Sequence, residues 1–182
     1  MPVPTPLDWA ANAGNSPSAA QFQAGVGDVF KFLLDPPRVA LRQGTQQSIG
    51  TAAYTALTFA TEDYDNESPT SMHSLTSNQT RITAQTAGTY LLSGKASFGA
   101  SATGRRGLRW LLNGSTPLGG SEVIGPSSPT GTTSVAARTM YVSLGVGDYV
   151  ELQAYQDSGA SLLTAVSGTE TQCTAEARWM GP

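Results

Sequence analysis

The side chains able to do covalent or metal chemistry are few in this sequence, and they stand apart. There is one cysteine, Cys173, and one histidine, His73. A lone cysteine forms no intrachain disulfide, and without a neighbouring ligand or base its expected role is that of a small buried hydrophobe. His73 has no evident partner, so a satisfied structural or surface role is expected of it. The acidic run Glu62, Asp63, Asp65 and Glu67 offers the oxygen ligands that calcium takes. Its spacing departs from an EF-hand loop, with no glycine at the sixth position and no glutamate at the twelfth. A solvated acidic loop is therefore expected, with Glu62, Asp63 and Asp65 as weak metal candidates and no cofactor implied. Adjacent acids such as Asp63 and Asp65 also match glycoside hydrolysis poorly, because that reaction needs two carboxyls facing each other across a cleft. Arg105, Arg106 and Arg109 form a small basic cluster, better suited to surface or intersubunit ion pairs than to a specific anion site. No G-x-S-x-G, H-E-x-x-H, P-loop or C-x-x-C spacing occurs, so the chain is expected not to be an enzyme.

With chemistry set aside, composition bounds the remaining classes. A chain of 182 residues suits one main domain with a small appendage. Charged residues make up 13%, well below the usual ~25%. The 20 glycines and 11 prolines point to short strands and many turns. A net charge of −3 argues against a nucleic-acid footprint, which needs a clustered basic surface. No apolar run approaches the ~18 residues of a membrane span, so no membrane insertion is expected. Residues 1–14 lack the basic and apolar regions of a signal peptide, and synthesis in the cytoplasm is expected.

The stretch that must organise the fold is Arg81–Phe98. It reads as two strands joined at Thr86-Ala87-Gly88, with Gly88 suited to a turn. Tyr90, Leu92, Gly94, Ala96 and Phe98 share one face of the second strand, since strand side chains repeat every two residues. Such an apolar face requires a covering sheet. Candidate strands for it are Val39–Gln47, Tyr54–Ala60, Leu108–Leu112, Ser134–Leu144, Asp148–Gln156 and Thr171–Met180. In the last, Cys173, Ala175, Ala177 and Trp179 share a face. Asn113-Gly114 is a strong type I′ hairpin signal. The loop 115–133 is rich in Gly, Pro, Ser and Thr.

Residues 16–34 form the one good helix candidate. Ser16 can cap it and Pro17 sits at its first position. Phe22, Val26, Val29, Phe30 and Leu33 fall on one stripe, and Asp35-Pro36-Pro37 ends it. Gly25 and Gly27 make this helix marginal alone. The stripe must therefore dock on its own sandwich, on other copies, or on a larger assembly. Trp9, in an otherwise polar arm, is a further anchor candidate. The division expected is an N-terminal anchoring arm and helix over 1–37 and an all-β head over 38–182. Eight to ten strands with regular turns are the signature of a sandwich or jelly roll.

The order of motifs carries a resemblance. Thr86-Ala87-Gly88-Thr89-Tyr90 running to Phe98, Arg109-Trp110-Leu111-Leu112-Asn113-Gly114, and Leu144-Gly145-Val146-Gly147-Asp148-Tyr149-Val150-Glu151-Leu152 together resemble the complement globular-head and tumour necrosis factor-like jelly roll. Ala56-Leu57-Thr58-Phe59, Glu62-Asp63-Tyr64-Asp65 and Arg81-Ile82-Thr83-Ala84 resemble the form found in tailed-phage virion proteins. The resemblance covers Arg38–Pro182. It implies a homotrimer with one sheet of each jelly roll packed around a threefold axis, and Tyr90, Tyr141 and Trp179 are the candidate aromatics near that axis. It also implies a non-enzymatic virion protein attached through Trp9, Phe22, Val26, Val29, Phe30 and Leu33 to other virion proteins of the tail or capsid. The expected role is a minor tail or fibre protein adhering to a host-surface glycan or protein. A capsid decoration (head fibre) protein is the alternative, and a cellular trimeric ligand or adhesin is the alternative of another class.

Overall fold

The computed structural model of the chain describes residues 3–8, 14, 16–67, 69–166 and 168–182. Trp9 lies outside the described residues. The helical segment comprises α1 (Ala19–Phe22), a π-helical stretch over Gln23–Gly27, and α2 (Asp28–Leu34). The strands follow in order: β1 (Arg38–Arg42), β2 (Ser48–Ile49), β3 (Thr55–Ala56), β4 (Thr61–Asp65), β5 (Arg81–Thr83), β6 (Gly88–Phe98) and β7 (Arg105–Leu112), then β8 (Thr116–Pro117), β9 (Val123–Pro126), β10 (Thr133–Ala136), β11 (Met140–Leu144), β12 (Tyr149–Gln156), β13 (Leu162–Leu163) and β14 (Thr174–Gly181).

Two six-stranded sheets pack face to face, as the alternating apolar strands require. The first has the order β10-β6-β14-β1-β4, with β11 also paired to β6. The second has the order β3-β12-β7-β8, with β5 on β12 and β9 on β7. A small β13-β2 pair closes one end. The interior holds Tyr90, Leu92, Ala96 and Phe98 from β6, Leu108 and Trp110 from β7, Val150, Leu152 and Ala154 from β12, and Ala175, Ala177 and Trp179 from β14. These are the faces that period-two alternation assigns. Cys173 is buried in the same core.

Three local expectations are corrected. Arg81–Phe98 is not a hairpin, because β5 pairs β12 in the second sheet while β6 belongs to the first. The chain turns a corner between sheets over 84–88. The Tyr90 hydroxyl donates to Thr86 O at 2.7 Å and Trp179 Nε1 donates to Ala87 O at 3.0 Å, fixing the corner from both sides. Gly88 is required there. Its φ is +148°, and a Cβ would come within 2.3 Å of Trp179 Nε1.

Ser134–Leu144 is two strands rather than one. The inward parity runs Val135, Ala137, then Met140, Val142, Leu144, so the break inserts a residue. It frees the Arg138 carbonyl, which accepts from the indole of buried Trp110 at 3.3 Å. The helix is capped by Ser18, not Ser16, in a reciprocal box with Gln21. The predicted type I′ geometry does form: Asn113 has φ +49° and Gly114 φ +70°.

Candidate functional site

The sequence-level candidates for metal or acid chemistry are dispersed by the fold. Glu62, Asp63 and Asp65 of the acidic run lie on an edge strand, β4, paired to β1, rather than in a loop, and Glu67 follows it. Charged side chains on an edge discourage further strand pairing. The carboxylates are spent separately. Asp63 takes the Arg42 guanidinium, with Nε at 2.6 Å. Asp65 accepts from the backbone amides of Glu67 and His73, each at 3.0 Å, and burial pushes its carboxyl above the usual range. Burial likewise raises Glu62. Among the described residues no group of three or more His, Cys, Asp or Glu could hold a metal ion.

His73 has a structural position. Its ring nitrogens lie 2.9 Å from Arg81 O and 3.0 Å from Phe59 O, tying the 69–80 loop to β5 and to the segment between β3 and β4. The basic cluster also separates. Arg105 pairs with Asp157 at 3.0 Å, and the Arg109 guanidinium lies 3.7 Å over the Tyr54 ring. Arg106 points inward and is fully buried, with one Nη donating to Thr103 O and Arg105 O at 3.1 and 2.9 Å. Desolvation holds its guanidinium below the usual value.

What the fold does assemble is a surface. Register places two cross-strand rows on the outer face of the first sheet. One runs Tyr141, Leu91, Arg178, Arg38. The other runs Ser93, Glu176, Ala40, Tyr64. Paired residues share a face, and the opposite face of each strand is the core. Tyr141 is 63% exposed, Tyr64 45% and Met180 48%. The Arg38 guanidinium lies 5.2 Å over the Tyr64 ring. Among the described residues, two concavities lie on this face. One of about 180 Å³ is lined by Tyr64, Leu91, Ser93, Glu176, Ala177 and Arg178. One of about 170 Å³ is lined by Leu33, Pro36, Arg178, Trp179 and Met180, and it joins the sheet to α2.

Of the three aromatics expected near an axis, only Tyr141 lies on this face. Tyr90 is buried between the sheets, its hydroxyl pushed up to about 12 by burial. Trp179 is buried with it, packed edge-on against Phe32 at a centroid distance of 4.9 Å. Inward parity with Leu92 and Ala177 gives both their places.

The helix stripe behaves otherwise than a self-docking helix would. The side chain it buries is Phe32, which the stripe omitted. Phe22 is 51% exposed, and Phe30 and Leu33 are each 61% exposed. Val26 and Val29 are half-buried. The arm runs beside Gly25, where Leu7 N donates to Gly25 O at 3.1 Å and a Cβ on Gly25 would fall 2.5 Å from Leu7 Cβ. Phe32 thus fixes the segment to the head and leaves a separate apolar stripe uncovered.

No family model matches the sequence, and no curated protein matches it. Solved structures do match. The globular domain of zebrafish complement 1qA is similar at 14% identity and TM-score 0.55, over 79% of this chain and 97% of that one. Murine APRIL is similar at 13% identity and TM-score 0.55, over 78% and 98%. The Eiger TNF of S. frugiperda is similar at 10% identity and TM-score 0.54, over 80% and 93%. The fold is therefore the jelly roll of complement and tumour necrosis factor-like domains.

Proposed function

We propose that this chain is a non-enzymatic virion structural protein. In this account it is a homotrimeric jelly-roll head, attached to a tailed-phage particle through residues 1–37 and serving as a minor tail or fibre protein that adheres to the host surface. The observation that carries it is the outer face of the first sheet. Tyr141, Tyr64, Met180 and Arg178 are there, and specific interfaces are enriched in these residue types relative to ordinary surface. Copies turning this face to a common axis would fill the two concavities with one another's side chains. Leu91, half-buried in the single chain, would leave water along with them.

The exposed stripe of Phe22, Phe30 and Leu33, with Val26, Val29 and Trp9, is then the attachment to other virion proteins. Three weak anchors on one trimer act together through effective concentration. The phage setting draws support from the likeness of the 56–84 motifs to phage virion versions of this jelly roll. Localisation in the virion follows from that setting.

Two other readings share the fold. A capsid decoration protein would use the same arm. A cellular trimeric ligand or adhesin is equally consistent with neighbours among complement and tumour necrosis factor proteins, since fold alone does not assign function. Gold-labelled antibody imaging of phage particles purified from cells that produce this chain separates them. Label at the tail tip is the expected result. Label over the head would make it a decoration protein, and unlabelled particles would overturn the virion assignment in favour of a cellular ligand.

A further inference from the structure

A third concavity lies away from the association face and differs from the other two in kind. Its volume is about 130 Å³, and it is lined by Ser71, Met72, His73, Ser74, Ser77, Asn78, Arg81 and Thr83. Six of these eight present a hydroxyl, an amide or a guanidinium. That space exceeds the ~30 Å³ share of one water in the liquid. Ile82 is buried, so Arg81 and Thr83 project from the outer side of β5, in the second sheet. If the first sheets pack together, this opening stays free. We infer that it is a binding subsite for one uncharged, polyhydroxylated sugar ring.

Elimination supports the ligand class. An anion is disfavoured because the Asp65 carboxylate accepts from the backbone amide of His73 at 3.0 Å and Glu151 stands 3.8 Å from Arg81. A cation is disfavoured because the lining contains Arg81 and no carboxylate. An apolar ligand would strand the polar lining without partners. Neutral hydroxyl groups match it, because hydroxyl and amide side chains both donate and accept. The Ser71 hydroxyl, the Thr83 hydroxyl and the Asn78 amide make no side-chain hydrogen bond to another described residue, so they remain available. Ser74 Oγ instead organises the rim, accepting from Ser77 N at 3.2 Å. Arg81 is held in place by stacking 4.1 Å over the Tyr149 ring. This inference rests on the adhesive reading only for its biological setting.

The test is saturation-transfer NMR on the full chain. The probes are methyl pyranosides of glucose, galactose, mannose, rhamnose and N-acetylglucosamine at millimolar concentration, with acyclic sorbitol beside them. The double variant Asn78→Gly/Thr83→Val removes two of the available groups. Glycine suits the φ of +50° at Asn78, and valine matches threonine in shape, so thermal stability should hold. Transfer to at least one pyranoside, reduced about tenfold in the double variant, as loss of two hydrogen bonds implies, supports the subsite. No transfer to any pyranoside, undiminished transfer in the variant, or equal transfer to sorbitol overturns it. Host-cell adhesion is scored separately. Adhesion that survives in a variant that has lost sugar transfer leaves the subsite standing and assigns adhesion to another surface. Retained transfer removes the subsite whatever the adhesion does.

Discussion

At the residue scale, inside and outside follow from parity wherever a strand is regular. Cys173 illustrates the part that was legible. Its expected role as a buried hydrophobe holds, and burial pushes the thiol up to about 11. Since the thiolate is the reactive form, native protein at pH 8 should resist a maleimide, and unfolding in guanidinium should release one reactive thiol per chain. Rapid labelling of the native protein would contradict this. Arg106 was legible in part. It shares parity with Leu108 and Trp110, so the inward signal was present, but parity says nothing about its carbonyl partners, Thr103 in the preceding loop and Arg105 at the start of β7. The partners of His73 are the backbone carbonyls of Phe59 and Arg81, which any residue type supplies, so they could not be read from the sequence.

Asp148 gives a pH dependence. Asn113 Nδ2 donates to its Oδ1 at 2.8 Å and Gly145 N to its Oδ2 at 2.8 Å, holding the carboxyl below its usual range. A folded pKa below the unfolded one, near ~3.9, stabilises the protein above the unfolded value. That stabilisation is lost as pH falls through the folded value. Asp148→Asn should therefore flatten the fall in Tm between pH 5 and pH 2. An identical fall in wild type and variant would refute the assignment.

At the element scale, the sequence marked strands better than their partners. The turn at Thr86–Gly88 carries the same local chemistry whether it closes a hairpin or carries the chain to the other sheet. The decision lies in Trp179, some ninety residues on, against which Gly88 packs. The break between β10 and β11 did leave a trace: the apolar parity changes between Ala137 and Met140. For the helix, periodicity found an apolar stripe but not which apolar residue docks. Phe32, off the stripe, meets Trp179 because the chain must turn at Pro36-Pro37 into β1, where Trp179 N donates to Pro37 O at 2.8 Å. Phe32→Ala should cost about 3–5 kcal/mol in denaturant unfolding. Phe30→Ser, on the exposed stripe, should stay within about 0.5 kcal/mol. The reverse order of effects would mean that the stripe, not Phe32, holds the helix to the head.

At the scale of the whole molecule, the two sheets differ in what their outer faces leave uncovered. The second sheet covers Tyr54 with Arg109 and Tyr149 with Arg81, and the first covers Tyr64 with Arg38. The first leaves Tyr141 and Met180 open beside two concavities. Only the class of surface, and not the particular residues, was readable beforehand, because a chain read alone does not reveal which face of a sheet lacks a cover. The central claim is that this face is buried between copies. It is tested most directly by sedimentation equilibrium of the full chain at micromolar concentration, alongside Leu91→Arg/Tyr141→Arg. Those two residues are neighbours in one cross-strand row, so paired charges there would repel across an axis. A trimer is expected for the wild type and a folded monomer for the double variant. A monomeric wild type, or a variant that remains trimeric, would contradict it.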